Sequence, residues 1–127
     1  MGKHFTSSLH EERFINMMAE DNMYPDDSER ASLFYIIAGN DDLYRKRRFI
    51  YDSCEHAIRT CLENTEVDFS SGTRSLIRLG FNLYNGWSDD YTTPRFLLGN
   101  LDDRNLLLAE KAMGIRFHVN SLRELLE

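Results

Sequence analysis

Six consecutive apolar residues, Leu33, Phe34, Tyr35, Ile36, Ile37 and Ala38, constrain this chain more than any other feature. Set on a helix at 100° per residue they point in every direction, so no face is left for water and neighbouring elements must enclose it. Asp26 followed by Glu29 gives an N-terminal signal ahead of the run, and Gly39 supplies a stop behind it. The expectation is a buried central helix over Ser28–Ala38, with the rest of the chain folded around it.

Length supports one such core. At 127 residues the chain has the size of a single domain and can bury roughly two thirds of the surface its unfolded form exposes. Its 42% apolar and 28% charged content is that of a globular chain, away from the compositions that stay disordered. Residues 1–7 precede the first helix signal and read as a disordered extension. No apolar run reaches the ~18 residues that span a bilayer, and the start MGKHFTSSLHEERF lacks the apolar stretch of a secretory signal. The cytoplasm is the expected compartment, and a membrane is not among the expected partners. Cys54 and Cys61, two turns or about 10 Å apart on one helix, are too distant for a disulfide and read as reduced core thiols.

Capping signals divide the chain. Ser8 and Glu11 form a capping box that starts a helix at Leu9, with a stripe of Leu9, Phe14, Met17 and Met18 and an end near Asp21 or Asn22, ahead of Pro25. Asn40 caps the next helix at once, with Asp41 and Asp42 in its first turn. Beyond it Leu43, Tyr44, Ile50, Tyr51, Cys54, Ala57, Ile58, Cys61 and Leu62 share one broad stripe, which allows an unbroken helix to Leu62. Asp52 and Ser53, which bond backbone locally, allow a break instead. After a loop, Ser70 or Ser71 starts a helix that Gly86 closes, and Gly80 on its apolar side implies close approach of a neighbour. Thr93 and Pro94 open one short turn ended by Gly99. Asp102 caps a leucine-rich helix through Met113 and Phe117 that reads as largely buried, and Ser121 with Glu124 caps a terminal helix carrying Leu122, Leu125 and Leu126. No stretch alternates long enough to read as a strand. The fold class is all-α, a single domain over residues 1–127 with about six or seven helices.

Residues able to carry chemistry are present without the spacing that chemistry needs. His10, Glu11 and Glu12 lack the second histidine of a zinc-protease helix, because position 14 is Phe14. Cys54 and His56 face different ways on a helix, and there is no Walker or dinucleotide glycine pattern. The paired acids Asp26, Asp27, Asp41, Asp42, Asp89, Asp90, Asp102 and Asp103 fall at helix starts or in a loop, where carboxylates serve capping and the macrodipole. No cofactor, metal or catalytic residue is expected. Arg45, Lys46 and Arg48, with Arg74 and Arg78, form the one local basic patch that could meet an anion or nucleic acid, against a net charge of −6. Asp41 with Arg45 and Asp42 with Lys46 are i,i+4 pairs that would neutralise half of it. Arg47 falls inside the core stripe and needs a carboxylate or carbonyl partner. Tyr84, Trp87, Tyr91 and Phe96 gather around a loop and are the candidate partner surface.

The segments DNMYPDDSERASLFYIIAGNDDLYRK, IYD, SSGTRSLIRLGFNLYNG and LLLAEKAMGIRF resemble a family of small uncharacterised bacterial proteins, over about Leu9 to Phe117. The resemblance implies no activity, cofactor or functional residue. It implies a loop after Ile50, Tyr51 and Asp52, where this chain is helix-compatible through SCEHAIRTCLEN. The functional expectation is a helical module that binds another protein or itself without catalysis. The alternatives are a nucleic-acid-binding module using the basic patch and, third, an enzyme using clustered acids.

Overall fold

The computed structural model describes residues 4–23, 27–63 and 67–117. Their order is α1 (Ser8–Asp21), α2 (Ser28–Ala38), α3 (Asp41–Arg45), α4 (Arg47–Ile50), β1 (Tyr51–Asp52), β2 (Ala57–Ile58), α5 (Ser71–Asn85), α6 (Pro94–Gly99) and α7 (Asp103–Arg116). Among the described residues the domain is therefore seven helices with one hairpin of two-residue strands. Helix α2 is the hub and packs against α1, α5 and α7. Every residue from Ala31 to Ala38 is buried, as the all-round apolar run demands. Burying each of its large side chains is worth on the order of 2 kcal/mol.

Close approach to α2 is bought with small residues at two places. A Cβ on Gly80 of α5 would lie 2.8 Å from Leu33 Cδ1, so glycine is what lets α5 settle onto α2. Gly39, directly after α2, is covered by the side chains of Leu108 and His10. Its φ is −87°, so it is small for packing reasons and needs no left-handed backbone. Gly86 does need one: at φ 83° it ends α5, donating its N–H to the Asn82 carbonyl.

Three helices begin as the sequence indicates, with a side-chain oxygen accepting a first-turn amide: Asn40 accepts from Leu43, Ser70 from Thr73 and Asp102 from Asn105. Helix α2 is capped by Asp27, which accepts from Arg30, one residue beyond the expected signal at Asp26. Helix α1 differs by one residue: Ser7 is its cap, accepting from the His10 amide, and not Ser8. Its buried side is His10, Phe14 and Met17, while the expected core residue Leu9 is exposed. The proposed signal at Asp26 and the terminal helix at Ser121–Glu127 lie outside the described residues.

Residues 4–7 are not the loose extension expected of them. Phe5 is buried, packed at 5.1, 5.5 and 5.8 Å from the rings of His10, Phe14 and Tyr35. The unbroken helix from Asp41 to Leu62 is also not formed. The chain turns at Lys46, ends its helix at Ile50, and pairs Tyr51 with Ile58 and Asp52 with Ala57 in an antiparallel hairpin. Asp52 Oδ1 accepts the Cys54 and Glu55 amides at 2.9 and 3.2 Å, the local bonding that competes with a helix. His56 closes the loop at φ 53°. In consequence Cys54 and Ala57 stand exposed, while Tyr51 and Cys61 remain buried. Burial pushes the Cys61 thiol up to about 11, so this cysteine is an inert core group.

Candidate functional site

A concavity forms where three helices start. Asn40, Ser70 and Asp102, the caps of α3, α5 and α7, line one cleft of about 500 Å³ together with Arg45 and Arg104. Asn40 Nδ2 donates to Asn105 Oδ1 at 3.3 Å across it. Its acids are already engaged. Asp41 pairs with Arg13 of α1, and that guanidinium, through its hydrogen bond first and its charge second, holds the carboxyl below the usual range. Asp42 holds Arg45 and Lys46 at 3.2 and 3.0 Å. Among the described residues no group of three or more His, Cys, Asp or Glu side chains is placed to hold a metal ion.

The aromatic surface expected from the sequence divides. Tyr91 and Phe96 meet edge to face at 5.4 Å and remain 52% and 48% exposed. Tyr84 instead sits at 6.1 Å from Tyr51 and donates its hydroxyl to the His56 carbonyl. Trp87 packs edge-on to Phe81 at 5.6 Å. The loop carrying Tyr91 is braced from below. Asp89 Oδ1 accepts the Tyr91 amide and the Thr92 hydroxyl at 3.0 and 2.7 Å, and Arg78 binds Asp89 at 2.9 Å while lying over the Tyr91 ring. Partial burial pushes the Asp89 carboxyl up, but the Arg78 and Thr92 bonds and the Tyr91 amide outweigh it and the net displacement is downward.

The basic residues are mostly turned inward. Lys46 also donates to the Asp68 carbonyl and lies over Phe69. Arg74 donates to the carbonyls of Phe69 and Leu62 at 3.3 and 3.2 Å, and Arg78 serves the Asp89 loop. Arg48 is exposed. Arg47 has the partner its position required: Glu20 at 3.2 Å and the Tyr44 carbonyl at 3.0 Å, with its guanidinium stacked 4.2 Å from the Tyr44 ring. Of the two i,i+4 pairs expected, Asp42 with Lys46 forms, while Asp41 turns to Arg13 and Arg45 to Asp42.

Two buried polar clusters escaped the sequence reading. Asp21, with its side chain 1% exposed, accepts from Arg30 at 2.6 Å, Tyr51 at 3.2 Å and His56 Nδ1 at 2.9 Å, tying α1, α2 and the hairpin tip together. His10 is buried with Nε2 2.9 Å from the Tyr35 carbonyl and Nδ1 3.1 Å from the Thr6 amide. Asp21 reads as an ordinary helix end, and only long-range partners reveal its role.

The fold and these side chains define a small helical domain whose described part carries no metal cluster and no helix long and apolar enough to cross a membrane. The chain belongs to DUF6075, a family of unknown function, which it matches over residues 1–121. No curated protein and no solved structure matches it.

Proposed function

We propose that this chain is a cytoplasmic helical interaction module that binds another protein, or a second copy of itself, without chemistry of its own. One observation carries the reading: the Tyr91–Phe96 pair is half exposed while the loop carrying Tyr91 is braced by Asp89 and Arg78. Aromatic side chains presented rigidly lose little entropy on binding and are over-represented in the centres of interfaces. A nucleic-acid role for Arg45, Lys46, Arg48, Arg74 and Arg78 is the weaker reading, because paired guanidiniums have little charge left for phosphates. Catalysis by clustered acids is weaker still, since those acids are caps and ion pairs.

The test separates binding from packing. Tyr91→Ser with Phe96→Ser is expected to leave the thermal melt within a few degrees of the wild type. Association is expected to be lost, measured as sedimentation of the chain alone and of its complex with an affinity-purified partner. A fall of the melt by ten degrees or more would make the pair a core edge and overturn the proposal.

A further inference from the structure

The segment His4–Thr6 is held onto the domain by an imidazole that can hold it only when neutral. The Thr6 amide donates to His10 Nδ1 at 3.1 Å, and the Thr6 hydroxyl lies 3.0 Å from the same nitrogen. An amide N–H can only donate, so Nδ1 must carry a lone pair and the ring proton must sit on Nε2, donating to the Tyr35 carbonyl. The Tyr35 hydroxyl in turn donates to the His4 carbonyl. Between these two ties Phe5 fills an aromatic slot walled by His10, Phe14 and Tyr35. We propose that His4–Thr6 is a proton-released strap: protonating His10 Nδ1 removes its acceptor, frees the Thr6 amide and lets Phe5 leave the slot. The released state presents a phenylalanine on a free segment and an empty aromatic slot on the domain.

The groups around the latch favour the neutral ring. Burial pushes the His10 imidazole down to about 4, the Tyr35 carbonyl opposes this, and Arg104 on α7 adds to it. Burial pushes the Tyr35 phenol upward, so it keeps its proton throughout. Among the described residues, His4 within the strap and Glu11 next to His10 in α1 are further ionisable groups close to it in sequence. With the strap off, the ring returns toward its ordinary value near 6.5. Acid then favours release between about pH 6.5 and 4, by up to about tenfold per pH unit, and no further below that window.

Amide hydrogen exchange on the ¹⁵N-labelled full chain tests the strap directly. Corrected for the intrinsic exchange rate, Thr6 protection is expected to fall steeply from pH 6.5 to 4.5, while Ile36 and Phe81 stay protected. His10→Gln is expected to abolish the pH dependence, and His4→Gln to retain it. Flat Thr6 protection across the window, loss in step with Ile36 and Phe81, or a dependence that follows His4 would overturn the proposal. Should His10→Gln fail to fold, ring nitrogen shifts of the wild type decide: Nε2–H with a bare Nδ1 at pH 7 is expected, and an Nδ1–H ring beside a protected Thr6 amide would refute it.

Discussion

Helices α2 and α7 each carry an apolar run, six residues in α2 and a shorter leucine run in α7, and bury them to different extents. From Ala31 to Ala38 α2 is enclosed on all sides by α1, α5 and α7. In α7 the run Leu106, Leu107, Leu108 splits, with Leu108 1% exposed and Leu106 and Leu107 40% and 45% exposed. The buried strip of α7 is Leu108, Ala109, Ala112 and Ile115, spaced as one helical face. Phe117, expected in the core, is the most exposed of the large apolar residues described. An apolar run therefore sets how much of a helix can be covered, and the number of neighbours sets how much is.

The sharpest way to break this contrast is a charge in each helix. Ile36→Asp puts an unpaired carboxylate in the hub, at a cost of several kcal/mol, and is expected to abolish the cooperative circular-dichroism melt. Leu107→Asp on the outer face of α7 is expected to change it by no more than about 0.5 kcal/mol. An unaltered melt for Ile36→Asp would remove α2 from the centre.

Truncation resolves the contrast within one helix. Leu108→Ala deletes a side chain packed over Gly39 and should cost about 2 to 5 kcal/mol by urea denaturation, whereas Leu107→Ala should stay within about 0.5 kcal/mol. Equal losses at the two positions would mean that Leu107 is covered in solution, by a second copy or by a partner. That outcome would move the interaction surface from the Tyr91 loop to α7.

These contrasts also mark what could be read in advance. The hub was legible because all-round apolarity is a property of six neighbouring residues, and the caps Asn40, Ser70 and Asp102 because capping is local. Gly80 was legible for the same reason: a glycine on an apolar helix face has few other uses. The hairpin was half legible, since Asp52 and Ser53 marked the break but the stripe through Cys54 and Ala57 argued for a helix. His10 and Leu9 are 100° apart, and periodicity alone prefers the leucine. What buries the histidine is Thr6 on one nitrogen and the Tyr35 carbonyl on the other, a partner 25 residues away. The cleft was invisible in the same way, because its three caps come from segments that meet only in the fold.

The smallest expected effect lies at the edge of that cleft, where Arg13 of α1 meets Asp41 of α3. Asp41 is 73% exposed, so solvent screens the pair and its worth at neutral pH is about 0.2 to 1 kcal/mol. The carboxyl is held below its ordinary value of 3.8. Its stabilising contribution is therefore complete above that value and disappears as the pH falls through the lowered folded-state value, where both states become protonated. Arg13→Ala should accordingly melt slightly below the wild type at pH 7, with the gap narrowing at high salt and shrinking as the pH falls below 3.8. Arg13 also lies 4.7 Å from the Tyr44 ring, a contact that neither salt nor protonation of Asp41 removes. A gap that persists unchanged once Asp41 is fully protonated in acid would assign the role of Arg13 to stacking on Tyr44, and would leave Asp41 free to serve the cleft.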